Sequence, residues 1–275
     1  MHIRRSCSLA LIILAATAAC STDRGPTTPT PLVVPAPVLL KDMVLSNLPS
    51  PYYHFDYDAN GRVTAASFAS GFSTYDLVYD GSRLTEMRNN GVGNRDRLTY
   101  AYDAAGRVSL VSYTDSSGST YARVRLTYDG QRLVGLLRQR LMGAGFIPDK
   151  EMVFSYDNDG HLSAVEEHRH AIAGFQDETT VVDAYEMYDV GINVDGFSLI
   201  HDDFFDNLVL LPQLQLQRNN PRRQTHTGDG DNFVVDYSYE YDDKGRPLTK
   251  AGFLTFTSGP DAGQRFQIGT VFSYY

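Results

Sequence analysis

Apolar and polar residues alternate with a period of two along much of the chain. Segment 123–128 (RVRLTY) places a valine, a leucine and a tyrosine on one face, and two arginines and a threonine on the other. Segments 97–102 and 151–156 follow a similar pattern. β-branched and aromatic residues at alternate positions are typical of half-buried strands. The pattern therefore predicts consecutive β-strands from Tyr52 to about Tyr188.

One turn motif recurs between these strands, with the pattern Tyr-Asp-x-x-Gly followed by Arg or His. It occurs at 57–62, 102–107, 156–161 and 241–246. The aspartate can accept hydrogen bonds from its own turn, and the glycine suits the left-handed conformation that closes a type I turn with a bulge. A shorter form with Asp-Gly, at 79–84 and 128–133, favours a tight hairpin. The expected turn residues are Asp58, Gly61, Asp80, Gly81, Asp103, Gly106, Asp129, Gly130, Asp157, Gly160, Asp242 and Gly245.

The spacing of the motif predicts how the strands connect. Long and short forms alternate from Tyr57 to Tyr156, and successive tyrosines are 22, 23, 26 and 28 residues apart. Each interval fits a pair of strands and the turn between them. The sequence therefore predicts a long antiparallel meander in which neighbours in sequence are neighbours in the sheet. Because sheet edges need protection, we expect the sheet to be strongly curved or closed into a barrel-like shell.

The period changes after Tyr188. Apolar residues there are spaced by three and four, which predicts a helix from about Ser198 to Leu210 inside an insertion spanning 196–217. We expect this insertion to plug one opening of the curved sheet. Period-two strands resume at Asn232 and continue to the end of the sequence. The fold class expected is thus all-β, with one helical insertion.

The recurring Tyr-Asp-x-x-Gly-Arg units resemble YD repeats, which are known from Rhs-type and teneurin-type proteins. The resemblance covers roughly Tyr52 to Val165 and Val234 to Phe253. It implies a large curved β-sheet or shell built from hairpins. Bacterial lipoproteins of unknown function, notably of the Bacteroidetes, carry divergent versions of the repeat, and this chain resembles those most. The resemblance implies a fold and says little about activity.

The N-terminus reads as an export signal rather than as part of the fold. Arg4 and Arg5 precede an apolar run, and Thr17-Ala18-Ala19-Cys20 resembles the bacterial lipobox. That resemblance implies cleavage before Cys20 and lipidation of its thiol, although an ordinary signal cut after Ala19 would also fit the small residues. Apart from Cys20, the chain has one cysteine, Cys7, within the signal.

These features divide the chain into a signal peptide at 1–19, a Pro/Thr-rich tether at 20–45 and a single β domain at 46–275. Lipidation at Cys20 makes the membrane a partner and places the protein in the cell envelope, most simply at the outer membrane. The net charge of −9 argues against a nucleic-acid partner, since such a protein needs a basic face. A composition of 42% hydrophobic and 21% charged residues is that of a folded domain.

An outer-membrane barrel would show the same alternation of apolar and polar residues. Many of the predicted strands are only about six residues long, whereas about 9–11 residues are needed to cross a bilayer. The lipobox already supplies an anchor. We therefore expect the strands to build a domain outside the membrane.

Two clusters are the candidate metal ligands, although both are more simply explained by structure. His168 and His170 share one face of a predicted strand, which would suit metal ligands. A polar strand face exposed to solvent would show the same pattern. Asp229 and Asp231 lie in a glycine-rich loop that resembles a fragment of a calcium loop but lacks its terminal glutamate. We expect neither a metal nor another cofactor.

No motif identifies a catalytic residue, a nucleophile or a phosphate-binding loop. The expected function is a lipid-anchored envelope protein with a structural or binding role and no enzymatic activity. One alternative is a carbohydrate- or peptide-binding accessory of an uptake system, with a glycan or envelope protein as partner. Another is a hydrolase with its site inside the β shell. An exposed aromatic row would favour ligand binding, and converging carboxylates would favour the hydrolase.

Overall fold

The computed structural model describes residues 38–91, 95–194, 199–200, 209–212 and 214–275. Sixteen strands of this part of the chain form one closed antiparallel barrel, and two short strands form a separate pair. The strands are β1 (Leu40–Leu45), β2 (Tyr53–Tyr57), β3 (Val63–Phe68), β4 (Ser73–Asp80), β5 (Arg83–Asn89), β6 (Arg97–Tyr102), β7 (Val108–Thr114), β8 (Thr120–Asp129), β9 (Arg132–Met142), β10 (Gly145–Tyr156), β11 (Leu162–Arg169), β12 (Thr179–Glu186), β13 (Leu199–Ile200), β14 (Val209–Leu210), β15 (Arg223–Gly228), β16 (Phe233–Tyr241), β17 (Pro247–Phe256) and β18 (Arg265–Tyr274). The predicted all-β meander is confirmed, and the sheet closes.

The barrel closes where β1 meets β18. Their register runs from Leu40 opposite Tyr274 to Leu45 opposite Thr270. On its other side β1 pairs with β2, so its backbone groups find partners in two neighbours. Strand β1 therefore lies within residues 20–45, so the end of the segment assigned to the tether is a barrel strand.

The helix predicted from Ser198 to Leu210 is wrong where the structure describes it. Leu199–Ile200 and Val209–Leu210 are the paired strands β13 and β14, while residues 201–208 lie outside the described residues. No helix in the described part of the chain has the length and apolar character to cross a membrane.

The turns divide between the two ends of the barrel. Because successive strands are antiparallel, every turn with the Tyr-Asp motif lies at the same end, which we call the tyrosine end. The long connection from β12 to β15, which contains β13 and β14, also starts and finishes there. The opposite end, which we call the far end, carries the other hairpin turns.

The apolar core lies inside the barrel. Inward-facing residues such as Phe55, Leu84 and Val111 are fully buried. They belong to one cluster with Leu210 and Leu211 of the β12–β15 connection. This connection therefore fills the barrel interior next to the tyrosine end, where it excludes water from the core.

The outer face of the barrel is charged. Exposed ionisable residues occupy outward positions within most of the strands. They include Asp56, Asp76, Arg88, Arg97, Arg125, Glu151, Glu166, Asp236, Glu240 and Arg265. Exposed apolar side chains, such as Val153, Phe253 and Val271, lie between these charges on the outer face.

The long-form turns at the tyrosine end share one hydrogen-bond pattern. In the turn after β6, Asp103 Oδ1 accepts hydrogen bonds from the amides of Ala105 and Arg107, both at 2.9 Å. Gly106 has a φ of 81°, which a residue with a Cβ adopts only with strain. The short form differs: Gly81 has a φ of 57° at the first position of a two-residue loop, which fits a type II′ turn.

The arginine and the tyrosine of neighbouring motifs interlock around the tyrosine end. The Arg107 guanidinium lies 4.8 Å from the centroid of the Tyr128 ring. The same stacking recurs for the pairs Arg62–Tyr79, Arg83–Tyr102, Arg132–Tyr156 and Arg246–Tyr274. Four of these stacks join one motif hairpin to the next, and Arg246–Tyr274 joins the β16–β17 turn to the end of β18. A cation–π contact adds about 0.5–1 kcal/mol at exposed positions. We call this arrangement the arginine–tyrosine ladder.

The tyrosine hydroxyl adds a second link between hairpins. Tyr128 Oη donates to the carbonyl of Val108 at 2.9 Å, and Tyr102 and Tyr156 donate in the same way to the carbonyls of Leu84 and Leu133. The motif residues are thus explained by the geometry of the barrel rim.

Replacing the tyrosine by phenylalanine tests this hydroxyl. Tyr128→Phe keeps the ring and its stack with Arg107 but removes the donor to the Val108 carbonyl. We expect the free energy of unfolding to fall by about 0.5–1.5 kcal/mol, and the melting temperature by about 2–4 °C per kcal/mol. Circular dichroism during heating measures it. Tyr275→Phe is the control: this residue is 57% exposed and its Oη donates to the Phe55 carbonyl at 3.2 Å, so the loss of stability should be smaller. An equal loss in both variants would contradict the larger contribution assigned to the Tyr128 hydroxyl.

Candidate ligand-binding site in the barrel interior

A cavity of about 300 Å³ lies in the barrel wall formed by β1, β16, β17 and β18. It is lined by Leu45, Leu48, Tyr237, Lys250, Ile268 and Thr270, among others. A second cavity of about 70 Å³ shares Lys250 and Thr270 and reaches the β12–β15 connection at Asn193 and Val194. Lys250 therefore stands between the two cavities.

The register of three strands sets the position of Lys250. It lies opposite Tyr239 of β16 and Thr270 of β18. The same strand face carries Gly252 and Leu254 into the barrel, because alternate residues of a strand share a face. The sequence 247–256 alone does not show which face is inward, so Lys250 was not predicted as a site residue.

Two tyrosine rings hold the ammonium of Lys250. Its Nζ lies 4.0 Å from the centroid of the Tyr237 ring and 6.0 Å from that of Tyr239. The Tyr237 ring lies across Gly252, where an added Cβ would be 2.8 Å from Tyr237 Cδ1. Glycine at 252 therefore makes room for the ring, and the ring positions the cation by a cation–π contact.

A chain of hydrogen bonds continues from Tyr237 across the barrel wall. Tyr237 Oη donates to Gln224 Oε1 at 2.7 Å, and Gln224 Nε2 donates to Asp183 Oδ1 at 2.8 Å. His226 Nδ1 lies 2.9 Å from the same carboxylate oxygen. Burial, reinforced by the charge of Asp183, raises the pKa of Tyr237. Its hydroxyl therefore stays protonated at neutral pH and remains a donor.

A row of aromatic rings crosses the same wall near the far end. His226 stacks on Phe233 with ring centroids 4.5 Å apart, Phe233 meets Phe256 at 6.3 Å, and Phe256 meets Phe266 at 5.9 Å. Phe266 is 48% exposed. This is the kind of accessible aromatic surface that binds the apolar part of a ligand.

The wall formed by β9 and β10, which β11 and β12 separate from β15, carries buried charges. A bulge in β10 places Asp149 inside the barrel with no exposed surface. Its carboxylate accepts hydrogen bonds from Arg138 Nε at 3.0 Å and from Arg140 Nε. The carbonyl of Asp149 also accepts from Gln176 Nε2 at 2.8 Å. This buried ion triad fixes the bulge and the loop after β11.

Another cavity, of about 230 Å³, lies at the tyrosine end. Its lining includes Arg83, Tyr102, Arg107 and Tyr128 of the arginine–tyrosine ladder, together with Leu211 of the β12–β15 connection. The stacking contacts of the ladder explain why these arginines and tyrosines lie there.

The structure places the predicted metal candidates apart from these cavities. His168 and His170 lie on the outer face with their ring centroids 4.5 Å apart, and His168 Nδ1 is 2.8 Å from Thr180 Oγ1. Asp229 Oδ2 accepts the Thr180 amide at 2.7 Å. Asp231 Oδ1 lies close to Gly259. The contacts of Asp229 and Asp231 are with neighbouring turns and strands.

A different group of possible ligands meets in a turn at the tyrosine end. One atom each of Asp157, Asp159 and His161 lies within 4.8 Å of the others. Asp157 Oδ1 already accepts the amides of Asp159 and His161. The sequence signal is a second aspartate in the motif and a histidine in place of its arginine. These hydrogen bonds explain the cluster as a turn.

Among the comparisons with known proteins, only those of structure found similar proteins. No family model matches the sequence, and no curated protein does either. A porin-like protein from Bacteroides uniformis has 11% identity and a TM-score of 0.54, covering 81% of this chain and 89% of its own. A porin-like protein from Bacteroides vulgatus has 12% identity and a TM-score of 0.55, covering 86% and 99%. The chain therefore has the fold of a Bacteroides porin-like barrel.

A third structure, TcdB2–TccC3 without its hypervariable C-terminal region, gives a TM-score of 0.29 and matches 14% of that chain. This value is too low to support a common fold. The resemblance to YD repeats rests on the turn residues of the sequence.

Proposed function

We propose that the chain is a lipid-anchored, non-enzymatic protein of the cell envelope whose plugged barrel binds a ligand at the cavity beside Lys250. The observation that carries the binding role is the open, partly aromatic wall of β15–β18. Most of the inward-facing apolar residues of β2–β9 are packed into the core, whereas this wall keeps a cavity of about 300 Å³ and an exposed ring at Phe266. Ligand sites in proteins are usually concave and apolar with a few placed polar groups.

The charged outer face supports an anchor outside the barrel itself. A single arginine or lysine on the lipid face of a barrel costs about 2–4 kcal/mol near the bilayer midplane. Outward charges such as Arg125, Glu166 and Asp236 lie within strands, so surrounding the barrel with hydrocarbon would add such a cost at several positions. Lipidation at Cys20 supplies membrane attachment without that cost. The turn motifs support placing the chain among YD-repeat lipoproteins.

Replacing Cys20 by serine distinguishes attachment through the lipid from insertion of the barrel into the membrane. We expect the parent protein to incorporate labelled palmitate and to fractionate with membranes, because a lipidated N-terminus is retained there. The Cys20→Ser variant should lose the label and leave the membrane pellet on alkaline carbonate extraction. Cys7→Ser is the matched control and should behave like the parent.

Membrane retention of Cys20→Ser after carbonate extraction would overturn the proposal, because the barrel itself would then be the membrane-embedded part. Absence of label in the parent would overturn the lipid anchor.

A further inference from the structure

We propose that the cavity beside Lys250 binds a monoanionic amphiphile, a carboxylate carrying one unbranched apolar chain. This inference rests on the proposed binding role and names the class of ligand. It depends on the charge, the walls, the mouth and the size of the cavity.

The charge of the cavity selects the head group. Among its described lining residues, Lys250 supplies the one basic side chain, and the Tyr237 hydroxyl stays protonated at neutral pH. The hydroxyl-bearing residues Ser46 and Thr270 line the same space. A carboxylate at this point would gain a charge-assisted hydrogen bond from the ammonium, which is stronger than a bond between neutral groups. A cationic head group would meet repulsion instead.

The walls of the cavity select an apolar chain. Leu45, Leu48 and Ile268 line it, and the Tyr237 ring forms another side. Each methylene group buried there contributes about 0.8 kcal/mol. The combination of one cation with aliphatic walls fits an amphiphile better than a sugar, which needs several polar partners.

The mouth and the volume limit the length of the chain. Leu48 lies in the turn between β1 and β2 at the far end and is 45% exposed, so the cavity reaches solvent there. A volume of about 300 Å³ holds roughly ten groups of the size of a water molecule, at ~30 Å³ each. A chain of about ten carbons therefore fits, and a longer chain would extend past Leu48 towards the aromatic row.

Isothermal titration calorimetry on the full-chain Cys20→Ser protein tests the inference without detergent. The probes are decanoate, 1-decanol and decyltrimethylammonium, which share a chain and differ in charge. We expect the parent to bind decanoate more tightly than the cation. In Lys250→Met, decanoate affinity should fall about tenfold or more, which corresponds to the ~1.4 kcal/mol per factor of ten of a lost charge contact. Decanol affinity should change little.

Two further variants keep the result interpretable. Lys250→Arg retains the positive charge and should keep decanoate binding within about threefold, which is a change of less than ~1 kcal/mol. Lys244→Met removes an exposed lysine from a turn at the tyrosine end and should bind like the parent. Thermal melting of each variant shows that it folds.

Equal decanoate affinity in the parent and in Lys250→Met would overturn the inference, as would absence of decanoate binding in the parent. Membrane fractionation of Cys20→Ser tests the lipid anchor and does not depend on the calorimetry. Failure of the lipid anchor and failure of amphiphile binding are therefore distinguishable.

Discussion

Asp149→Ala is expected to lower the free energy of unfolding by about 3–5 kcal/mol, the largest loss among the substitutions considered for this chain. Asp149 has no exposed surface. Its carboxylate is shared by Arg138, whose side chain is 8% exposed, and Arg140. Removing the carboxylate takes a fully buried counter-charge away from Arg138 and from the partly exposed Arg140, and desolvated charge is costly when its compensation is reduced.

Urea unfolding followed by far-ultraviolet circular dichroism measures this loss. The chain has no tryptophan, so the strand signal is a better probe than fluorescence. Asp236→Ala is the matched control: Asp236 pairs with Arg223 at 3.2 Å, but the two side chains are 64% and 40% exposed. Surface pairs contribute about 0–1 kcal/mol. A similar small loss in both variants would show that the interior triad is solvated.

A second variant separates charge from packing. Arg138→Met, Arg140→Met and Asp149→Leu in one chain replace the whole triad by apolar side chains. Buried ion networks replaced in this way often keep their stability. We therefore expect this triple variant to be more stable than Asp149→Ala alone, which would assign the loss to the unpaired charges.

Local features of this fold could be read from the sequence because their causes are local. The turn after β6 needs a side chain that accepts two amides and a residue that tolerates a positive φ, and Asp103 and Gly106 supply both within four residues. The outward and inward faces of β8 follow from the alternation in Thr120–Asp129. Neither depends on distant parts of the chain.

Closure depends on contacts that no local pattern marks. β1 and β18 pair across almost the whole domain, and the sequence only indicated that the sheet edges needed protection. The assumed helix failed for a related reason. Residues such as Leu210 and Leu211 are apolar because they are buried inside the barrel, and spacings of three and four then arise without a helix.

The interior site was missed because its residues are far apart in sequence. Asp183, Gln224 and Tyr237 come from β12, β15 and β16, and only the register of these strands connects them. Lys250 is one lysine among several charged residues of the chain until β17 is aligned with β16 and β18. The sequence did place the change of pattern between Tyr188 and Asn232, which includes the connection that fills the tyrosine end.

The barrel is expected to unfold between about pH 10 and 12. Burial raises the pKa of Tyr79 and of Tyr128 from 10.0 to about 12, although the nearby Arg62 and Arg107 act in the opposite direction. Burial also raises the pKa of Tyr102 and Tyr156. In the unfolded chain these hydroxyls ionise near pH 10, so above that pH the unfolded state binds fewer protons than the folded state. Stability therefore falls as the pH rises.

The loss of folding stability is confined to a defined range of pH. The contribution of the ladder tyrosines is complete below pH 10, declines as the pH rises towards the folded-state value of about 12, and is absent above it. Urea unfolding at a series of pH values gives the free energy directly, and tyrosinate absorbance counts the hydroxyls that ionise. We expect the absorbance rise of the buried tyrosines to coincide with the loss of strand signal.

A variant with both Tyr79→Phe and Tyr128→Phe removes two of the titrating groups and keeps their rings. Below pH 10 it should be less stable than the parent, because the Tyr128 hydroxyl bond to Val108 is lost. Above pH 10 its stability should fall less steeply with pH, since fewer protons are released on unfolding. Identical slopes in the two proteins would assign alkaline unfolding to other groups, such as the lysines, instead of the arginine–tyrosine ladder.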